Sequence, residues 1–590
     1  MDSPALQFYF LVTFTSVKFA SEVTPAMREL LTLWRLQTAN MQNVFDFGTS
    51  EMYGTINRSH LLLFIVLKYL CTFVVSLNRN PLLLLISLDG FRNDLLNSST
   101  VPNIWQFAQQ GLLFLFHSSI RFSQFIITTK IHIEYLTYTA PNHVSIATGR
   151  LEEFHGIVAN QFYDPSSDEY YDIFNSTSTE GIVNASLNEH FYNGEPIWLS
   201  NERADQSSRF SAAIYWPAGD AFWPSEPHQP TIFKTWNGHK NLSGWMQDFD
   251  EIIALFTRSK DPVNFAAWYL SEPDQTLHSH GFYNGELKKK LSELDSLIRY
   301  VVETVEQNEE LTDRLNIILT ADHGHAEITS PRNVFCISSF VNITKDMKVG
   351  DNMLYINDQN LRKEVYEKLK KAIEYGNYKV NIYYKEDFPS RYGYKKSPRV
   401  GDIILEPHIG SAILTDCPPE LFDLIAHNIT KFNKSTHGMD PDKEEMRAIL
   451  VMKGPAFAEK LQVQTIANNI DLYALMCHVL RIKESPNNGS LSNLRMALQS
   501  QSPIQAQPLM SSSSSSRFLS QSAILQPIVF STVSSFISTT FCFSLHSNDL
   551  FSVLHFIHDS LCANIFTDCI LPDTLLFEWL LWMQPAKQSA

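Results

Sequence analysis

Four short segments of this sequence carry side chains suited to gripping a divalent metal. They are Asp89 in ISLDGF, Asp274 and His278 in EPDQTLH, Asp322 and His323 in LTADHGH, and His437 in STHGMD. Zinc takes imidazole nitrogen and carboxylate oxygen, and a centre holding two zinc ions across strand ends needs about six such ligands. Three aspartates and three histidines meet that need, and a glycine stands beside three of them (Gly90, Gly324, Gly438). Each piece alone has an ordinary reading: an Asp-Gly after a strand is usually a turn, and a lone histidine is usually a surface residue. The ordered set, each member ending an apolar run or a loop, favours a metal centre. A fifth segment, YLTYTAPNHVSIATG, places Thr137 and Thr139 just before a proline at the mouth of a helix. A threonine there either caps the helix or, with a metal lowering its pKa, serves as a nucleophile.

The elements around these segments must hold them together. PLLLLISLDGF is a continuous apolar run ending in Asp-Gly, as a buried parallel strand does when it delivers a side chain at its carboxyl end. LNIILTADHG repeats the pattern, and RAILVMKG reads as another buried strand. KVNIYY and DIILEPH are also strands. VPNIWQFAQQG, LRKEVYEKLKKAI and DLYALMCHVLRI read as helices, and from Leu287 the apolar positions 291, 294, 297, 298, 301, 302 and 305 keep helical spacing. Helices alternating with apolar strands predict an α/β domain: a mixed, mostly parallel central sheet flanked by helices, with the metal site at strand carboxyl ends.

Taken in order, LISLDGFRNDLL, TAPNHVSIATGRLEEFHGIVAN, GEPIW, YWPAGD, EPDQTLHSHG, TADHG, HGMDPDKEEMRAIL and PNNGSL resemble the ectonucleotide pyrophosphatase/phosphodiesterase family of the alkaline phosphatase superfamily. The likeness covers about residues 81–495 and is to the short, catalytic-domain-only type. It implies an alkaline-phosphatase-like fold and two Zn2+ per chain. One ion would sit on Asp89, Thr139, Asp322 and His323, the other on Asp274, His278 and His437. In the family pattern Thr-x-Pro-Asn-His the threonine is the nucleophile, which selects Thr139 and leaves Thr137 dispensable. Asn160 matches an asparagine that binds a non-bridging phosphate oxygen, a neutral partner suited to a diester. Trp236, in TIFKTWNG, matches an aromatic wall for a nucleobase. The implied reaction is in-line attack by Thr139, a covalent threonyl intermediate, and hydrolytic release of nucleoside 5′-monophosphate from phosphodiester or pyrophosphate bonds.

Two features depart from the family pattern. Ala140 follows the nucleophile where relatives carry an aromatic residue, and residues 113–136 (LFLFHSSIRFSQFIITTKIHIEYL) read as an abnormal insertion without turn chemistry. Two alternatives stay open, the first because the short members the chain resembles divide between substrates, the second because of the insertion. One is a choline-phosphodiester or lysophospholipid hydrolase; the other is an inactive binding protein or a defective gene model.

The rest of the chain places the protein. Its net charge of −16 argues against binding a nucleic-acid duplex. Seven scattered cysteines with no C-x-x-C pair argue against a zinc ribbon or a disulfide-built miniprotein. Residues 1–51 read as outside the fold, and 52–80, with LLLFIVLKYLCTFVVSL, as a signal peptide or signal anchor beginning at Met52. Residues 81–495 form the catalytic domain, and 496–522 a Ser- and Gln-rich linker. The tail, 523–590, is either a poor membrane segment or disordered. Eight Asn-x-Ser/Thr sequons between residues 80 and 495, at Asn97, Asn175, Asn184, Asn241, Asn342, Asn428, Asn433 and Asn488, fit a secreted glycoprotein. The expectation is a monomer, extracellular or at the cell surface through the secretory pathway, with a membrane tether possible and a small phosphodiester as substrate.

Overall fold

Seven consecutive residues, Leu82–Leu88, bury every side chain, which only a strand covered on both faces can do. In the computed structural model, which describes residues 80–110, 130–173, 187–429, 432–458 and 467–498, this strand (β1) lies inside an eight-stranded sheet. The others are β2 (Lys130–His132), β3 (Ser211–Ile214), β4 (Ile232–Lys234), β5 (Phe265–Leu270), β6 (Leu315–Thr320), β7 (Ala448–Lys453) and β8 (Ala467–Asn468). Their order is β8-β2-β7-β6-β1-β5-β3-β4. β1 pairs parallel with both β5 and β6, and β3 pairs parallel with β4 and β5. β7 runs antiparallel to β6 and β2. The sheet is therefore mixed and mostly parallel, as the apolar runs predict.

Helices cover it. They include α1 (Pro102–Gln110), α2 (Thr139–Thr148), α3 (Leu242–Thr257), α4 (Asp274–His280), α5 (Glu286–Gln307), α6 (Gln359–Gly376) and α7 (Asp471–Leu480). On α5 the buried stripe is Leu287, Leu291, Leu294, Leu297, Ile298, Val301 and Val305, following the expected spacing. The same helix buries Asp295, whose carboxylate accepts the Asn103 and Ile104 N–H groups at 2.8 Å each. A carboxylate on a neighbouring helix thus satisfies first-turn donors of α1 that its own turn leaves open. A second, antiparallel sheet (Lys348–Val349, Met353–Tyr355, Ile403–Pro407, Val380–Tyr384) packs with α6 around a separate core that includes Leu354, Leu369 and Leu405. Cys336 and Cys417 form a disulfide beside the parallel pair Val334–Cys336 and Ala412–Leu414.

The stretch 113–136 needs correcting in part. Residues 113–129 lie outside the described residues, but 130–136 are built into the domain. β2 pairs with β7 and β8, and Ile131, Ile133, Tyr135 and Leu136 are buried. Their low polarity is that of a sheet strand leading into α2, not of a foreign loop. The expected leader, linker and tail fall outside the described residues except for Asn80 and 496–498. No helix among the described residues is long and apolar enough to cross a membrane.

The loop after β6 is pressed tightly against its neighbour. Gly324 N–H donates to Met446 O at 2.8 Å, and a Cβ on Gly324 would lie 2.1 Å from Glu445 O. That obstacle is backbone, which cannot rotate away. Gly324→Ala is expected to cost about 1–3 kcal/mol or more, read as a lowered urea midpoint. An unchanged midpoint would show that the 444–447 loop yields freely.

Candidate metal centre

Three neighbouring parallel strands, β5, β1 and β6, end on the same edge of the sheet, where α/β folds place their ligands. Asp89 directly follows β1, Asp322 follows β6 by two residues, and Asp274 opens α4 just beyond β5. Backbone bonds lock these ends together: Asp274 N–H donates to Asp89 O at 3.0 Å, and Gly90 N–H to Asp322 Oδ1 at 3.0 Å. Tyr269 O–H donates to Asp89 Oδ2 at 2.5 Å. One oxygen of each carboxylate is thus held by the protein. The other two, Asp89 Oδ1 and Asp322 Oδ2, are buried with no hydrogen-bond partner.

His323 meets those orphaned oxygens. Its Nδ1 lies 3.0 Å from Gly324 O, an acceptor, so the ring proton sits there and Nε2 presents a lone pair. That Nε2 lies 3.1 Å from Asp322 Oδ2, 3.4 Å from Asp89 Oδ1 and 3.4 Å from Thr139 Oγ1. Tetrahedral zinc with bonds of about 2.0–2.1 Å separates its ligand atoms by about 3.3 Å. Buried lone pairs packed this closely repel one another unless a cation lies among them.

A second group repeats the arrangement. Asp274 and His278 share one face of α4 at i and i+4. His437 follows the short strand Ser435–Thr436, which pairs antiparallel with Ala326–Glu327. His278 Nδ1 faces Ser435 O at 3.1 Å and His437 Nδ1 faces Thr137 O at 2.8 Å, so both rings turn Nε2 lone pairs inward. Those nitrogens are 3.1 Å apart and lie 3.3 and 3.6 Å from Asp274 Oδ1. Asp274, His278 and His437 belong to one group that could hold an ion, and Asp89, Asp274 and His323 form the other, so Asp274 faces both. Sequence reasoning passed over His325, which joins the Asp274 group. Its only sequence signal is its place two residues after His323 in DHGH.

Thr139 is the first residue of α2, and no side chain caps that helix, so its hydroxyl is not occupied as a cap. The residues after it explain the Pro-Asn-His pattern. Asn142 Nδ2 donates to Leu136 O and Tyr138 O, His143 Nδ1 to Thr139 O at 2.8 Å, and Ser87 O–H to His143 Nε2 at 2.9 Å. These bonds fix the turn that carries the hydroxyl. Thr137 carries structural contacts: its Oγ1 accepts Gly438 N–H at 2.8 Å and donates to Met439 O at 3.1 Å, which ties it to the His437 loop. Asn160 Oδ1 accepts Ala140 N–H at 2.8 Å, which sets its amide beside Thr139 and leaves Nδ2 without a bonded acceptor among the described residues. Trp236 is half-buried, with its ring edge-on to His239 at 5.3 Å. His239 in turn bonds Ser271 Oγ at 2.8 Å, three residues before Asp274.

Known proteins resemble this chain in sequence and in fold. A family model described as type I phosphodiesterase / nucleotide pyrophosphatase matches residues 83–440. A bis(5′-adenosyl)-triphosphatase of Mus musculus is 33% identical over 427 residues, 71% of this chain and 81% of that protein. Ectonucleotide pyrophosphatase/phosphodiesterase family member 7 of Rattus norvegicus is 26% identical, covering 72% of this chain and 89% of its own. Among solved structures, murine ectonucleotide pyrophosphatase/phosphodiesterase 5, an inactive threonine-to-alanine form in complex with AMP, superimposes with a TM-score of 0.59 at 26% identity. That match covers 71% of this chain and all of the murine one.

The electrostatics follow from burial. Burial raises Asp89 well above the carboxylate range, with Asp322 and Asp274 adding repulsion, and it carries Asp322 to about 8. Burial also pushes Asp274 up, but His278 and His325 together outweigh it and hold that carboxyl low. Burial lowers His323 to about 3, and lowers His437 with help from His323. For His278 burial acts downward, yet Asp274 leaves it raised. In a metal-stripped chain a raised group binds protons the unfolded chain has released, so its stabilisation is lost as pH climbs toward the folded pKa. For Asp322 that window runs from 3.8 to about 8. The lowered histidines act oppositely, for His323 only between about 3 and 6.5. Between about pH 6.5 and 8 the carboxylates therefore decide the sign. The thermal midpoint of chelator-stripped protein is expected to fall across that window, and added zinc to raise it more at the upper end, because the cation replaces protons. A flat or rising midpoint would show that these carboxylates do not share a buried cluster.

Proposed function

From a chain that belongs to the type I phosphodiesterase / nucleotide pyrophosphatase family, a family of hydrolases, we propose the following finer reading. The protein hydrolyses nucleotide phosphodiester and phosphoanhydride bonds, with Thr139 as nucleophile and two Zn2+ as cofactors, and releases nucleoside 5′-monophosphates. One observation carries it: the two orphaned carboxylate oxygens and the His323 lone pair converge on the Thr139 hydroxyl, 3.4 Å from Nε2.

Asp89, Thr139, Asp322 and His323 would hold one ion and Asp274, His278 and His437 the other. Zinc bound there supplies Lewis-acid stabilisation of the attacking and leaving oxygens. The chain's own residues do the rest. Thr139 Oγ1 attacks phosphorus in line, the ester or anhydride oxygen departs, and a threonyl phosphodiester remains until water releases it. The N-terminus of α2 adds positive potential where charge develops. Asn160, its oxygen tied to Ala140 N–H, has an NH2 group to offer a non-bridging oxygen, and its neutrality suits a diester.

A nucleotide substrate is supported by the name of the murine triphosphatase and by the AMP complex of the murine phosphodiesterase. Ala140, small and buried where an aromatic residue is the family habit, favours the choline-phosphodiester alternative as the second reading. The Cys336–Cys417 disulfide and the exposed sequon residues Asn241, Asn342, Asn428, Asn433 and Asn488 support a secretory route to the cell exterior. One chain supplies every side chain of the site, so a monomer suffices.

Side-by-side turnover of p-nitrophenyl thymidine monophosphate and p-nitrophenylphosphorylcholine tests the substrate. Faster choline-ester hydrolysis would replace the nucleotide reading, and no turnover of either with zinc present would favour an inactive binding protein. Thr139→Ala is expected to lose several orders of magnitude in turnover and Thr139→Ser to keep measurable activity. Thr137→Ala should instead lower stability by about 1–3 kcal/mol. Trp236→Ala should raise KM for nucleotides by the equivalent of about 1–3 kcal/mol of stacking and spare p-nitrophenyl methylphosphonate, which has no base. An unchanged KM would remove Trp236 from the site.

A further inference from the structure

Asn160 has an NH2 group to offer a phosphate oxygen, and three sets of bonds decide where that group points. Ala140 N–H donates to Asn160 Oδ1 at 2.8 Å, and Ile173 N–H donates to Asn160 O at 3.1 Å. The third set comes from the second sheet. Gln161 N–H donates to Asp351 Oδ2 at 2.9 Å, and Asp351 N–H donates to Gln161 O at 3.0 Å. The peptide between Asn160 and Gln161 is therefore pinned at both its carbonyl and its N–H. A peptide is planar, so pinning both ends stops it turning and fixes the backbone from which the Asn160 side chain projects.

Asp351 is itself firmly mounted. It lies in the turn between Lys348–Val349 and Met353–Tyr355, which pair antiparallel. Gly350 N–H donates to Met353 O at 2.9 Å and closes that turn. Asn352 Nδ2 donates to Leu405 O at 2.7 Å, and Leu405 N–H returns a bond to Asn352 O at 2.9 Å. Gly350 lets the turn approach closely: a Cβ there would lie 3.0 Å from Gln161 O and 3.4 Å from Phe162 Cα. A carboxylate is unsuited to touch a phosphodiester, since both are anions. It is well suited to accept a backbone N–H.

We infer that Asp351 is a positioning residue for the reaction. Through the peptide between Asn160 and Gln161 it holds the Asn160 amide where it can donate to a non-bridging phosphate oxygen. It acts only through Asn160 and does not touch the substrate. The inference rests on the phosphodiesterase reading of Thr139 and Asn160.

The test is steady-state turnover by the zinc-loaded, full-length protein on p-nitrophenyl thymidine monophosphate and p-nitrophenyl methylphosphonate. Asp351→Ala removes the acceptor and is expected to lower kcat/KM about tenfold on both, because both substrates present a non-bridging oxygen. Asp351→Asn should recover most of the loss, since its amide oxygen accepts the same N–H. Asn160→Ala is expected to lose about 100-fold. Adding Asp351→Ala to it should cost nothing further, the mark of one residue acting through another. Unchanged kcat/KM in Asp351→Ala would overturn the proposal. So would failure of Asp351→Asn to recover activity, or losses that multiply in the double variant. A loss confined to the nucleotide would overturn it in favour of a role at the nucleoside wall. Wild-type turnover by Asn160→Ala, or no turnover by the unaltered protein, would overturn the reading of the site itself, a distinguishable result because neither involves Asp351. Where Asp351→Ala fails to fold, Asp351→Ser, whose side chain is one atom shorter than the acceptor position, carries the same expectations.

Discussion

The structure depends on a set of buried lone pairs that the protein brings together and leaves unmatched. Asp89 Oδ1 and Asp322 Oδ2 are buried without a partner, and His323 adds a third lone pair between them. In every one of these groups the atom facing away from the cluster is satisfied: Tyr269 holds Asp89, Gly90 holds Asp322, and Gly324 O takes the His323 proton. The protein's own hydrogen bonds thus select which atoms are left over, and the leftover atoms share one small space. Unmatched buried polar atoms cost roughly 1–3 kcal/mol each, more when charged, so the arrangement favours either protons or a cation among these atoms.

That requirement explains much of the fold around the site. Three acids can meet only if the strands carrying them are neighbours ending on one edge, and β5, β1 and β6 are adjacent and parallel. The remaining pieces arrive by longer routes. The α2 turn is held by Asn142 and His143, and the His437 loop by Thr137 and by pairing of Ser435–Thr436 with Ala326–Glu327. Thr137 therefore holds the His437 loop at two points, with its carbonyl on the His437 ring and its hydroxyl on the backbone that follows it.

The central strands and six of the site's side chains were legible because the signal is local: an apolar run, then an acid or histidine, within about ten residues. The choice between Thr137 and Thr139 was not local. It came from the family pattern, and the structural duty of Thr137 lies in contacts with Gly438 and Met439 that no window contains. β2 was misread for the same reason. Its three residues pair with strands more than three hundred positions away, and without those partners an apolar stretch following unlike sequence resembles an insertion. His325 was hidden by its own neighbour, since in DHGH the first histidine already accounts for the motif. Its membership of the cluster becomes visible only when Asp274 and Ser435, far away in sequence, are placed on either side of the ring.

Chemistry and selectivity are separable in this architecture. The atoms that would activate Thr139 and stabilise a leaving oxygen act on any phosphodiester, because they touch only phosphorus substituents. Discrimination between a nucleoside and a choline or lipid group must come from the walls. One wall position, Ala140, is buried and offers no ring, its backbone N–H being used to orient Asn160. The other proposed wall, Trp236, is linked through His239 to Ser271, at the end of the strand that leads to Asp274. A single aromatic face stacks on any base without reading its edge. Selectivity resting on that face alone would distinguish bases from aliphatic groups, but would rank one base against another only weakly.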